Sequence, residues 1–297
     1  MDHKVFLQSL SADEKVALTE KSNRNGLAHL AAYAALTIGC AIWVWRLAPF
    51  WPVAFVVLAI LLSFTFTLQH ECTHDTPFQT RWLNSAVGFL TGVILFQPFL
   101  WFRYFHLAHH RHTNDPGHDP ELDGDGKPET WRDFIWHLST VPYWSAKVSV
   151  LWQNAFSQEF AHYIPTAARP KIQREARFML MIYTAAAVAL WFEPKVIIIW
   201  LLPLAAGFPF LRLYLLAEHG RCAFIANMFE NTRTTFTNRV IRFIAWNMPY
   251  HTEHHVFPNV PFHSLPALHR LMAQHLQVTS NGYTEFTRAY VSGFKSR

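Results

Sequence analysis

Two uncharged apolar runs, five residues apart, limit what this chain can fold into. Leu27–Trp45 and Trp51–Gln69 each hold nineteen residues without Asp, Glu, Lys or Arg. A helix rises about 1.5 Å per residue, so about twenty residues cross a hydrocarbon core about 30 Å thick. Inside hydrocarbon the backbone must satisfy its own hydrogen bonds, which selects helix. Both runs are predicted to cross a membrane rather than fill a soluble core. Composition agrees: 15% of residues are charged, against roughly 25% in soluble domains.

Two further spans follow. Phe178–Phe192 is short, and Arg177 could snorkel to extend it. Val196–Ala217 is interrupted only by Arg212. The fold expected is all-α and integral to the membrane, with spans near 27–45, 51–69, 178–192 and 196–217. Residues 1–26 form a polar N-terminal segment in which Ser11-Ala-Asp-Glu14 reads as a capping box. No cleavage pattern follows the first apolar run, so it is not read as a signal peptide. Residues 27–297 are read as one domain. A fifth apolar stretch, Ala86–Phe102, contains Gly88, Gly92 and Pro98 and is expected to be re-entrant or interfacial.

Charge sets the expected orientation. Only Arg46 and Lys195 of 25 Lys and Arg fall in the two tight loops. By the positive-inside tendency, both termini and the middle region are cytoplasmic. The net charge of +5 suits an anionic leaflet and needs no nucleic-acid partner. Cys40, Cys72 and Cys222 are too few and too scattered for a disulfide framework or a paired zinc motif.

Against this background three runs stand out: His70-Glu-Cys-Thr-His74, His106-Leu-Ala-His109-His110 and His251-Thr-Glu-His254-His255. Residues three and four apart share a helical face, so each run presents its imidazoles to one side. His219, at the end of the fourth span, makes nine. All lie on the predicted cytoplasmic side. Clustered imidazoles repel protons and lose solvation unless a metal compensates. Glu71, Asp75, Glu218 and Glu253 adjoin these histidines, and Asn247 lies one turn before His251. They are candidates for accepting the imidazole N–H that faces away from a metal. His3, His29, His137, His162, His263, His269 and His275 are read as surface or hydrogen-bonded core residues, with His112 and His118 left open. Asp119-Pro-Glu121-Leu-Asp123-Gly124 begins like a calcium loop, but Thr130 occupies the closing position, so a solvated acidic loop is expected.

The first run alone matches the H-E-x-x-H zinc protease signature with Glu71 as base. A catalytic zinc uses three protein ligands, and nine histidines exceed that need. A non-catalytic metal transporter would be expected to carry ligands near the middle of its spans. The order and spacing of the runs resemble instead the three histidine boxes of the membrane fatty acid desaturase superfamily, from His70 to about Leu268. The wording that carries the resemblance includes His109-His-Arg-His-Thr-Asn-Asp-Pro116 and Trp246-Asn-Met-Pro-Tyr-His-Thr-Glu-His-His-Val-Phe-Pro258. Glu218-His219-Gly220 is similar to the extra histidine of related alkane hydroxylases.

The resemblance implies four spans capped by a cytoplasmic histidine-rich domain, in a bacterial inner membrane. It implies two Fe2+ ions held by His70, His74, His106, His109, His110, His219, His251, His254 and His255. It implies O2-dependent hydrogen abstraction from unactivated C–H bonds, with an acyl-lipid or fatty acyl substrate. A rhizopine oxygenase-like monooxygenase acting on a small molecule or terpenoid is the alternative. The chain has no Rossmann fingerprint, iron–sulfur run or haem attachment motif. Electrons are therefore expected from a separate ferredoxin- or cytochrome-type donor with its reductase.

Overall fold

The computed structural model describes residues 2–123 and 126–295. Four helical stretches are long and apolar enough to cross a bilayer: Ala12–Trp45, Trp51–Thr73, Thr166–Phe192 and Val196–His219. The N-terminal segment forms α1 (His3–Ser9) and α2 (Ala12–Thr19) before the first long helix, α3 (Asn23–Trp45). The capping box forms: Ser11 accepts the Glu14 N–H, and Glu14 accepts the Ser11 N–H. α3 starts ahead of its apolar run because the Ser22 hydroxyl accepts the Asn25 N–H.

The second span is α4 (Trp51–Thr73), with Pro52 in its first turn. After it, α5 (Arg81–Leu95) and α6 (Phe99–His112) make a pair bent by 100°. A Cβ at Gly92 would lie 2.5 Å from Gln97 O and 2.8 Å from Gln69 Nε2. Only glycine lets the chain turn this close to α4. α5 departs just beyond the end of α4, and α6 brings His106 Nε2 to 3.0 Å from His74 Nε2. The pair therefore begins and ends at one end of the bundle.

α7 (Trp131–Leu138) and α8 (Val141–Phe156) precede the third span, α9 (Arg169–Phe192). α9 is longer than its apolar run because Ala176 and Met179 pack on Leu151 and Ala155 of α8. Arg177 does not snorkel outward; its Nε donates to Ala155 O at 2.8 Å. The fourth span breaks at Trp200 into α10 (Val196–Ile199) and α11 (Leu201–His219). α11 packs closely on α4: a Cβ at Gly207 would come within 2.0 Å of Ala59 O. Between α3 and α4, the Tyr33 hydroxyl donates to Leu61 O at 2.6 Å.

The remaining helices are α12 (Met228–Asn231), α13 (Arg239–Ile244), α14 (His251–Val256), α15 (Leu265–Met272) and α16 (Tyr283–Ser292). They cap the bundle where α4, α6 and α11 end. A parallel two-residue ladder joins Thr234–Thr235 (β1) to Thr279–Ser280 (β2). Trp246 is fully buried, with its ring 4.2 Å from His29 and 4.8 Å from Phe262. His29 Nε2–H donates to Phe243 O at 2.9 Å and ties the first span to the cap. Truncating Trp246 to Ala would cost about 3–5 kcal/mol. The three cysteines are free.

Candidate metal centre

Helix periodicity assembles the site. His70 sits in the last turn of α4 and His74 just beyond it, while His106 and His110 are one turn apart on α6. His254 arrives from α14. These five residues form one group whose ligand atoms all lie within 4.8 Å of one another. Nε2 of His70 is 2.8 Å from Nε2 of His254, His106 to His110 is 2.9 Å, and His110 to His254 is 3.1 Å. His109, His219 and His255 form a second group. Nε2 of His109 is 3.2 Å from Nε2 of His219, and Nε2 of His251 is 3.1 Å from the same atom. His251 thereby joins the second group.

The outward nitrogens explain why the Nε2 atoms face inward. Asp119 carries an acceptor-only carboxylate, so His109 Nδ1–H donates to it at 2.9 Å. His219 Nδ1–H donates to Asn231 O at 3.1 Å. The Thr113 hydroxyl donates to His109 O and so accepts from His255 Nδ1–H, at 3.1 Å. In each case the proton is held outside and Nε2 keeps its lone pair. Converging lone pairs at these separations repel one another without a cation. Imidazoles bound at right angles, roughly 2.0–2.1 Å from one metal, have nitrogens roughly 3.0 Å apart. The residues present therefore fit a metal in each group. Burial and then the facing imidazoles push His254 and His255 well below the ordinary histidine range; for His251 the causes are burial, then His109 and His74.

The acidic candidates divide. Glu71 Oε1 lies 3.6 Å from His254 Nδ1, and Glu218 Oε1 lies 3.4 Å from His251 Nδ1. Each faces a histidine of another element, not its sequence neighbour. Glu71 Oε2 accepts from the Thr76 hydroxyl and the Phe262 N–H. Asp75 is turned away by a backbone φ of 55° and pairs with Arg103. Glu253 accepts from Thr234 and His269. Asn247 donates to Phe262 O. These last three touch none of the nine imidazoles through a hydrogen bond among the described residues.

Asp119 corrects the solvated-loop expectation: it is 1% exposed and fixes a clustered histidine. Its signal was faint, an acid ten residues after His109 amid other acids. Thr113 and Asn231 gave no signal, since both act through contacts across the fold. Asn231 Nδ2 donates to Thr113 O and Ile225 O, joining the end of α6 to the loop after α11. Arg233 Nη1 donates to Ala217 O and Gly220 O and caps α11 at His219. Lys127 Nζ donates to His219 O at 3.0 Å. His112 and His118 lie outside both groups, with their rings stacked at 5.5 Å. His137, His263, His269 and His275 make hydrogen bonds elsewhere.

The protein resembles known lipid-modifying enzymes. It is 24% identical over 279 residues to the sn-1 oleoyl-lipid 12-desaturase of Anabaena variabilis, covering 86% of this chain and 65% of that one. It is 26% identical over 243 residues to sphingolipid delta(4)-desaturase DES1 of Bos taurus, covering 78% of this chain and 68% of that one. A fatty acid conjugase of Calendula officinalis is 35% identical over 69 residues, 23% of this chain and 18% of its own length. The chain thus spans less than two thirds of the Anabaena variabilis relative. Residues 48–287, which include both histidine groups, match the fatty acid desaturase family, and the chain belongs to that family.

Proposed function

We propose that this protein is an O2-dependent, di-iron oxidoreductase that desaturates an acyl lipid or fatty acyl chain. One observation carries the reading: nine imidazoles from α4, α6, α11 and α14 converge in two adjacent groups. Groups of five and four nitrogens suit two metal ions with positions left open. Imidazole alone does not select iron; family membership supports it. When bound, the irons would supply O2 reduction and hydrogen abstraction. For balance, O2 takes two electrons and two protons from the saturated carbon pair, two electrons from a donor and two protons from solvent, and leaves as two waters.

The protein's own groups prepare the site. Asp119, Thr113 and Asn231 O hold the outward protons of His109, His255 and His219. The carboxyls of Glu71 and Glu218 face the outward Nδ1 atoms of His254 and His251 at 3.6 and 3.4 Å, placed to orient those rings. A zinc protease would need Glu71 free to face water. Here it is fully buried and already accepts two hydrogen bonds. A transporter would hold its ligands near mid-span.

The distribution of Lys and Arg supports a cytoplasmic site and cytoplasmic termini in a bacterial inner membrane. Electrons would come from a ferredoxin- or cytochrome-type donor with its reductase. A second reading, monooxygenation of a small molecule or terpenoid, draws on His219, which a membrane helix delivers to the second group. Mass spectrometry of lipids and metabolites from cells with and without the protein separates the two. Loss of two hydrogens supports desaturation, and gain of one oxygen supports the second reading. In His254→Ala the product should vanish while membrane insertion persists; persistence of product contradicts both.

A further inference from the structure

Away from the histidines, one half-buried face carries positive charge without an ion-pair partner. α8 exposes Val141, Val148, Trp152 and Phe156 along one side. Tyr143 and Lys147, four residues apart, lie on its opposite face with buried Leu151. A lysine turned inward on an amphipathic helix opposes the usual arrangement, in which the ammonium seeks water. Across from it, Arg212 interrupts the apolar α11. The two cations share one aromatic ring: Lys147 Nζ is 4.7 Å and Arg212 Cζ 5.5 Å from the centroid of Tyr143. Lys147 Nζ is also 5.4 Å from the centroid of Trp101.

Neither cation has an acidic partner within 4.0 Å among the described residues. Arg212 Nε is buried without a hydrogen bond. Arg212 Nη2 donates to His137 Nδ1 at 2.8 Å. Burial and the Arg212 charge push His137 down to about 4, so it remains a neutral acceptor and cannot balance the charge. Burial and the same guanidinium push the Lys147 ammonium down to about 7. Both side chains are half-buried, and the one carboxylate whose charge reaches them, Glu121, makes no ion pair with either; two neighbouring cations so placed are costly unless an anion joins them.

Hydrogen bonds run from the ring the pair shares to the residue before His70. The Tyr143 hydroxyl donates to Gln97 Oε1 at 3.3 Å, and Gln97 Nε2 donates to Gln69 Oε1 at 3.0 Å. Gln69 directly precedes His70. Arg212 stands seven residues before His219, roughly 10 Å along α11. An anion held here would fix one end of a chain whose interior reaches the histidines. We propose that Lys147 and Arg212 bind the anionic end of the substrate, a carboxylate or phosphate, and so set which carbon is oxidised. The substrate assignment rests on the acyl-lipid reading above; the anion site itself does not.

The test measures binding by the purified full chain in neutral maltoside micelles, using stearate, methyl stearate and stearoyl lysophosphatidate. Charge-assisted hydrogen bonds should make an anionic probe bind about 10- to 100-fold more tightly than the ester. Stearate binding best identifies a carboxylate; lysophosphatidate binding best identifies a phosphate headgroup. Lys147→Met and Arg212→Gln should each remove most of the preference, and Lys147→Arg should keep it. Unchanged metal content and melting temperature in Lys147→Met exclude misfolding. Equal binding of all three probes, or a preference that survives Lys147→Met, overturns the proposal. Preference without any double-bond product would refute the proposed reaction and leave the anion site standing.

Discussion

The two histidine groups are built differently although they share α6 and α14. In the group of His109, His219, His251 and His255, three outward nitrogens are hydrogen-bonded within 3.1 Å to Asp119, Asn231 O and Thr113. In the group of His70, His74, His106, His110 and His254, the acidic contact is Glu71, 3.6 Å from His254, and Nδ1 of both His110 and His254 is buried without a hydrogen bond, as Nδ1 of His251 is in the other group. His110 also lines a cavity of about 500 Å³ with Lys4 and Phe224, so this group reaches toward solvent. Three of the four rings of the second group are fixed by the fold's own hydrogen bonds. The first depends more on helix register and on the metal itself.

This difference orders the expected effects of substitution. The largest should follow His254→Ala, which removes a nitrogen from the less braced group and strands Glu71. Product formation should fall below detection, and metal analysis should show loss confined mainly to one ion per chain. Asp119→Asn comes next. It keeps the shape but weakens the acceptor for His109 Nδ1–H, and such losses typically cost 10- to 100-fold in metal affinity. Competition with a chelator measures this. Glu71→Gln acts across a longer gap and should weaken metal by about tenfold or less on the same scale. If Glu71→Gln is the more damaging of the two, the contrast between the groups is wrong. Asp75→Asn should leave metal content unchanged and cost about 0–1 kcal/mol through its partly exposed Arg103 pair, read as a small shift in melting temperature.

Much of the membrane half was legible because hydrocarbon imposes one demand, an uncharged run of sufficient length. The polar start of α9 escaped that rule. Arg169 through Arg177 reads as outside a span, yet Ile172, Ala176 and Met179 give the helix a buried side. The nine histidines were legible because i, i+3 and i+4 spacing survives any tertiary arrangement. Their supporting groups were not. Adjacent residues on a helix point about 100° apart, so Glu71 and Glu218 serve histidines from α14 rather than their neighbours. Asp75 and Glu253, equally adjacent, serve none. Thr113, Asn231 and Asp119 become readable only once α6, the loop after α11 and the acidic loop meet.

These nine imidazoles are proposed to hold two iron ions. Elemental analysis of the purified, membrane-extracted protein tests this proposal directly. Two irons per chain are expected in the wild type, with a selective loss in His254→Ala. One zinc per chain with no iron would contradict it.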